Sequence, residues 1–553
     1  MAVDNQELAP APTPRQGGYL SSWPLAIVTG SLCLGIFLFG LDINIIGVAI
    51  PRITTEFNSL GDVAWYGSAY LLTVTAFQPF FGSLYKYLNA KLVYLVSLFI
   101  FEVGSAISAS APVSSVLILG RAVLGFGAAG LLQGALAIIS YIVPIDRVPL
   151  FQGIVISSLA VSTCVGPVIG GLLTEYATWS RNVPTGVCVI IIVILFVPAA
   201  KPSGDNNSNS NVRSNLRKID GVGTAIFIAA ICCLLLALTW AGHTYPWNSS
   251  TVIGLFVGAF LLAICFCYWI WRQKDLAIIP LRILRKRSIS MGAAALFGLG
   301  VSLNVYGYYL PIFFQSAQGV STVQSGVQFI ALVASQVVAL VITGAIVSVW
   351  GYYVPYMIAG VAIASVGAGL LTTIGLSTST VVWAAYLVVI GIGMGMALQL
   401  PYTALQAVLD PADVATGNAI AVFSFHMAGA IGIVIGQNLF ITELQAAVPE
   451  YTTVVSPDQV IGAGATGLVS LAPTPAVLQA LRQAYADSVR RIFLLGLAAV
   501  CLALPPSCFM EWLNIKQVAA ERRLAQEDQS HTGIPKPEVT GVDGGRQETE
   551  DKE

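Results

Sequence analysis

Fourteen times along this chain an apolar run of roughly 17 to 25 residues recurs, separated from the next by a turn or a charged segment. A run of that length crosses about 30 Å of hydrocarbon as a helix, and in lipid only helices or closed barrels satisfy their own backbone. The runs fall near residues 25–50, 63–85, 92–111, 115–142, 149–173, 183–200, 221–241, 251–271, 289–312, 324–348, 353–374, 379–400, 416–440 and 490–510. The sixth is the shortest, with an unbroken apolar core only from Val187 to Ala200. Among 553 residues 56% are hydrophobic and 10% charged, which excludes a soluble globule of ordinary composition. The expected fold is therefore an all-α polytopic membrane protein.

Charge orients it. An even number of spans puts both termini on one side, and Lys and Arg accumulate in cytoplasmic segments. With the N-terminus inside, the inner segments hold 20 of the 26 basic residues and the outer ones five; Arg121 lies within a span. Asn248, in an Asn-Ser-Ser sequon between spans seven and eight, then lies outside as a candidate glycosylation site. A net charge of -1 without a basic face excludes nucleic acid as a partner. All nine cysteines fall inside apolar runs and read as packing residues. The first residues, with Asp4, Glu7 and several prolines, lack the layout of a cleaved signal peptide, so the first span is expected to act as the insertion signal.

The expected organisation is a cytoplasmic tail (1–24), a six-helix bundle (25–200), a Ser/Asn-rich linker (201–220), two inserted helices (221–271), a basic linker (272–288), a second six-helix bundle (289–510) and a disordered tail (511–553). The basic linker, with LRILRKRS, either lies in the anionic inner interface or carries ordinary flanking charge. A repeat supports duplication of a six-helix unit: Gly125, Gly127 and Gln133 in span four have the same spacing as Gly391, Gly393 and Gln399 in span twelve.

An ionisable side chain inside a span costs several kcal/mol unless it faces protein or water, so each is a candidate. Asp42 lies roughly 13 Å below the outer end of span one and Arg121 roughly 9 Å below that of span four, at 1.5 Å per residue. At matching depth the two can pair, either as a proton-coupling device or as a static ion pair. Glu102 in span three is a second proton site or a protonated carboxyl bonded to a neighbour. His426 in span thirteen is a titrating group or a satisfied polar residue. Gln133, Asn304, Gln336 and Gln399, with Tyr308, Tyr402 and Phe425, are candidates to line a cavity for an amphipathic molecule, although aromatics also collect at the lipid interface. In span five Gly166, Pro167, Gly170 and Gly171 form a GPxxGG run that is either a pivot or a packing notch. No HExxH, GxSxG or GxxxxGK[ST] motif occurs, which argues against an enzyme or a nucleotide-driven pump.

These residues resemble a known pattern, that of the major facilitator superfamily and, within it, the fourteen-span drug:proton antiporters of the fungal multidrug and toxin efflux type. The resemblance rests on LDINIIGVAIP (Leu41–Pro51), FEVGS around Glu102, LGRAVLGFGAAG (Leu119–Gly130), STCVGPVIGG (Ser162–Gly171), the run Tyr308–Val327, GYYVPYMI (Gly351–Ile358) and QLPYTALQAVL followed by Asp413, Gly417 and Asn418. It covers about residues 25 to 515. It implies two six-helix bundles plus two extra central helices, a proton as coupling ion with no other cofactor, and roles in proton coupling for Arg121, with Asp42 and Glu102 as candidates beside it. Gly82 and Lys91 match the gating loop between spans two and three, but Lys86 stands where the family has an aspartate, which puts a charge relay there in doubt. WSRNVPTG after span five is shorter than the family's segment, and the loop between spans ten and eleven lacks the expected basic residue. The expected function is export of a hydrophobic or amphipathic organic molecule by a monomer in contact with membrane lipid, in the plasma membrane or alternatively a vacuolar or vesicle membrane. The alternative is a facilitator or importer of a nutrient or siderophore.

Overall fold

The computed structural model describes residues 22–57, 63–176, 218–242, 245–464 and 467–532. Helices α1 (Ser22–Phe57), α2 (Val63–Tyr87), α3 (Ala90–Ala109), α4 (Ser114–Ile142) and α5 (Val148–Tyr176) belong to the first half. The inserted pair is α6 (Gly221–Trp240) and α7 (Ser250–Gln273). The second half comprises α8 (Arg287–Ser316), α9 (Thr322–Trp350), α10 (Val354–Leu371), α11 (Thr380–Leu398) with its continuation α12 (Leu400–Val408), α13 (Val414–Tyr451) and α14 (Pro475–Cys508), followed by α15 (Ile515–Thr532). Eleven helices among the described residues are long and apolar enough to cross a membrane, counting α11 and α12 as one. Helices α2 and α5 take the places expected for spans two and five; the expected sixth span, 183–200, lies outside the described residues.

Polar residues at the run boundaries start the helices. Asn89 caps α3, Ser249 α7, Ser321 α9 and Thr474 α14, each side chain accepting a hydrogen bond from a first-turn amide. Gly351 ends α9 at φ 87°, a left-handed conformation that favours glycine. Asp220 caps α6, accepts from Trp269 Nε1 of α7 at 3.0 Å, and so ties the inserted pair together.

The glycine repeat has a structural meaning. A methyl on Gly125 would strike α2 at Thr73 and at the Tyr70 carbonyl, and one on Gly127 would strike α3 at Phe101. In the second half Gly391 meets α9 at Leu332 and Gly393 meets α10 at Ala364. Each pair thus lets the fourth helix of its half approach the second and third within van der Waals range, the same contact made twice.

Two expectations need correction. Helices α13 and α14 extend well past the expected 416–440 and 490–510, because their outer turns bury Leu444, Val448, Leu481 and Tyr485 in a separate core with Val460 and Leu468. Residues 515–532 of the tail expected to be disordered from 511 instead fold as α15, and 533–553 lie outside the described residues. Ile515 is fully buried, and Arg522 donates from Nη2 to the Leu409 carbonyl at 2.8 Å, so burial and capping outweigh the polar composition. Of the two readings of the basic linker, ordinary flanking charge fits better: Ile278, Ile279 and Ile283 are buried in protein, and Leu276 is the large apolar residue left exposed beside its charges.

Candidate transport site and gate

The basic residues of α2, the 272–288 linker and α15 gather at one end of the molecule, where the two halves meet. A methyl at Gly82 of α2 would collide with Ala419 of α13, and α5 crosses α9 where Gly344 faces the Pro149 carbonyl and Gly153 faces the Leu340 carbonyl. Hydrogen bonds join the halves around these crossings: Gln133 Nε2 to the Ala415 carbonyl at 3.2 Å, Gln406 Nε2 to Ser140 Oγ at 2.6 Å and Thr403 Oγ1 to Gln152 Oε1 at 3.4 Å. Gln133 therefore reads the fifth helix of the opposite half (α13), while Gln399, its repeat partner, packs on Gly153 of α5. Several of these amides keep one group unbonded among the described residues, Gln133 Oε1, Gln152 Nε2 and Gln399 Oε1 among them. Their cost in the closed form lowers the free energy of opening relative to an all-apolar seam.

An ionic cluster closes the same end. Asp413, at the start of α13, receives Lys86 Nζ at 3.1 Å from the first half and a two-pronged hydrogen bond from Arg282 of the linker at 2.6 and 2.9 Å. Asp275 takes the remaining Arg282 Nε–H at 2.6 Å. Burial of Asp413 opposes its ionisation, but the hydrogen bonds and charges of Arg282 and Lys86 outweigh that and hold the carboxyl below its ordinary range. Lys86 stands where the resemblance called for an acid, yet it has an acidic partner across the interface, so the loop retains an ionic role with reversed sign. Lys91 lies in the first turn of α3, where its amide donates to Asn89 Oδ1 at 3.0 Å.

Deeper in the first half, the structure brings Asp42 and Arg121 into direct contact, Arg121 Nη1 donating to Asp42 Oδ2. Arg121 is buried; its Nε donates to the Tyr66 carbonyl at 2.9 Å and its guanidinium lies 4.6 Å over the Tyr70 ring. Three groups on α2 and α1 thus fix one arginine on α4. From Tyr70 an aromatic series continues through Phe39 at 6.4 Å to His426 of the second half at 5.9 Å, where the imidazole Nδ1 lies 2.9 Å from the Val422 carbonyl and stands edge-on to Phe425. Glu102 is buried on α3, and neither of its oxygens has a hydrogen-bond partner among the described residues, so the neighbour expected to bond it is not found.

The structure divides the expected cavity set. Phe425 and His426 meet Phe39 across the halves. Gln133, Gln399 and Tyr402 are instead buried in the closed end, and Gln336 is buried where α9 meets Gly391 and Gly395 of α11. Asn304 bonds its own helix through the Gly300 carbonyl at 2.8 Å, and Tyr308 is exposed. Polarity selected these residues, but only the helical face on which each lies separates seam from cavity. Helix α5 runs without interruption through Gly166, Pro167, Gly170 and Gly171; Gly166 is buried, and the side chains from Pro167 onward lie outside the described ones. The close approach of α1 to α5 is instead seen one turn earlier, where a methyl at Gly40 would strike Ser162 and Leu159. Asn248 is exposed in the turn between α6 and α7. Sequence reasoning missed Tyr70, Arg282, Gly153 and Gly344; Tyr70 alone carried a local signal, as an aromatic facing the expected ion pair at helical spacing from Tyr66.

Two packed halves, an internal repeat and a buried ion pair define a multi-pass membrane transporter, and residues 32–433 match the family model described as Major Facilitator Superfamily. The chain belongs to that superfamily. It is 40% identical over 502 residues to the "MFS-type efflux pump MFS1" of Trichophyton rubrum, covering 90% of this chain and 93% of the relative. It is 38% identical over 502 residues to the "Aspyridones efflux protein" of Neocamarosporium betae (90% and 89% covered), and 37% identical over 517 residues to "Efflux pump roqT" of Penicillium rubens (92% and 95%). Among solved structures, the proton:xylose symporter XylE aligns with a TM-score of 0.57 at 13% identity, over 90% of this chain and 98% of that one, and shows the shared fold. The protein is a transporter and not an enzyme.

Proposed function

We propose that this transporter exports a hydrophobic or amphipathic organic molecule, a toxin or secondary metabolite, in exchange for protons. Direction and substrate class are supported by the efflux relatives, and coupling by one observation, the direct Asp42–Arg121 contact inside the first half. A buried carboxylate needs compensating charge, and either the guanidinium or a proton supplies it. A rearrangement that parts Asp42 from Arg121, which stays held by the Tyr66 carbonyl and the Tyr70 ring, therefore requires Asp42 to take up a proton, and the return releases it. Glu102, with no counter-charge among the described residues, is the second candidate proton site in the same half. The basic end is cytoplasmic by its Lys and Arg content, so the structure corresponds to a form closed to the cytoplasm. Asn248 then faces outward, where glycosylation is possible, and the plasma membrane is the proposed address.

Substrate-driven proton movement in proteoliposomes tests the coupling. Asp42→Asn abolishes that movement while substrate binding survives; coupled transport at the original rate in this variant would remove Asp42 from the mechanism.

A further inference from the structure

At the end opposite the Lys86–Asp413 cluster, the second half holds a cavity of about 590 Å³ between the end of α8, the turn into α11 and the first turns of α14. Its α14 wall is one helical face, Pro475, Leu478, Gln479 and Arg482, at i, i+3, i+4 and i+7. Arg482 is half-buried, and among the described residues it has neither an acidic partner nor a hydrogen bond, although it is the cavity's one charged wall residue. Its guanidinium lies against Gly319, whose φ of 68° and lack of a side chain create the seat: a methyl there would strike Nη2 and stand 3.0 Å from Cζ. Opposite, α11 begins on the cavity wall; its N-cap Ser379 makes no side-chain cap bond, and with the Val382 amide donating to the Ser379 carbonyl at 3.1 Å, the Ser379 hydroxyl and the Thr380 and Val381 amides remain for an acceptor. Leu478, half-exposed on the wall, supplies apolar surface beside these donors, and Trp383, buried against Phe314 at 4.9 Å, backs the pocket.

We infer that this cavity binds a small organic anion, its carboxylate or phosphate on Arg482 and the start of α11, its apolar part on Leu478. A guanidinium beside Gly319 on the cavity wall, with no carboxylate partner among the described residues, is complementary to such a group. The site lies within one half, apart from Asp42 and Arg121, and does not depend on the transport reading. The same chemistry comes from a soluble carboxylate or from the headgroup of an acidic phospholipid.

The test is calorimetric titration of the full-length protein in phosphatidylcholine nanodiscs with benzoate and with its neutral isostere benzamide. Benzoate binds at least tenfold more tightly, and R482Q, shown to be folded by an unchanged melting temperature, removes that preference. L478E, which places a carboxylate beside the intact arginine, blocks benzoate as well and keeps the test decisive should R482Q fail to fold. Replacing half the lipid by phosphatidylglycerol abolishes benzoate binding if a headgroup is the occupant and leaves it intact if a soluble anion is. Equal affinities for benzoate and benzamide, or benzoate binding unaltered in folded R482Q or L478E, overturn the assignment.

Discussion

Two ionic clusters, each built on one buried charge (Arg121 and Asp413), sit in this molecule, and they differ in which bodies they join. Asp42 and Arg121 both belong to the first half, so their contact survives rigid rocking of one half against the other and changes only when helices within that half shift. Lys86 and Asp413 belong to opposite halves, so their contact must break each time the basic end opens. The first pair is suited to storing a proton-dependent change and the second to setting how long one end stays shut. A single sequence-level rule, that a buried charge is functional, does not separate these roles; the partner does.

The sharpest way to break this distinction is to leave both clusters intact and prevent closure. Gly344→Leu places a branched side chain against the Pro149 carbonyl and Leu150, and is expected to reduce turnover by about two orders of magnitude with substrate affinity changed little, as measured by counterflow and equilibrium binding. Normal turnover in this variant would mean that the α5–α9 crossing is not part of the cycle. Asp413→Ala comes next. It leaves Lys86 and Arg282 without their shared acid, and the loss of a buried partner, about 2 to 3 kcal/mol, raises the population open at the basic end by roughly 30-fold or more. Distances between spin labels on the α2–α3 and α12–α13 turns read that population, and no change would show that the cluster is incidental to closure. Lys86→Ala is milder, because Arg282 still holds Asp413 with two bonds; an opening of about fivefold, near 1 kcal/mol, is expected from the same distances. If it exceeded the Asp413→Ala effect, the ranking of the two halves' contributions would be reversed.

The smallest effect is that of pH. Asp413 ionises more readily in the closed form than outside it, so its contribution to closure is complete above the ordinary carboxylate range and disappears only as pH falls through the still lower value of the closed form. The label distances at the basic end are therefore expected to stay flat between about pH 8 and pH 5. Opening that follows pH within that range would assign the pH response to the gate and not to the Asp42 region.

How much of this was legible in the sequence depends on whether the physics is local. Lipid acts on every residue of a span, so the apolar runs and their turns mark the helices directly, and depth counted along two of them brings Asp42 opposite Arg121. The glycine spacing shared by Gly125, Gly127 and Gly391, Gly393 was legible for the same reason, since close packing requires small residues at fixed helical offsets. The gate was not. Lys86 and Asp413 are 327 positions apart, and Lys86 seen alone is a departure from the family pattern whose compensation lies in the other half. The cavity residues were not legible for another reason: along helices apolar on nearly all sides there is no amphipathic stripe to say which way Gln133, Gln336 or Gln399 faces, so polarity marks a residue without locating it. The tail misled because composition describes α15 well as an isolated segment but omits the carbonyls of Ala407 and Leu409 that Arg522 reaches.

That terminal helix has a practical consequence. Arg522 grips the end of α12 in the second half while the neighbouring Arg523 reaches Asp146, 3.3 Å away, on the turn between α4 and α5 of the first. Two adjacent side chains therefore span the line along which the protein must part, like a hasp laid over a hinge. Anything attached close behind residue 532, whether a fluorescent reporter or an affinity handle, pulls on that hasp, so opening rates compared between tagged versions report the attachment as well as the pump.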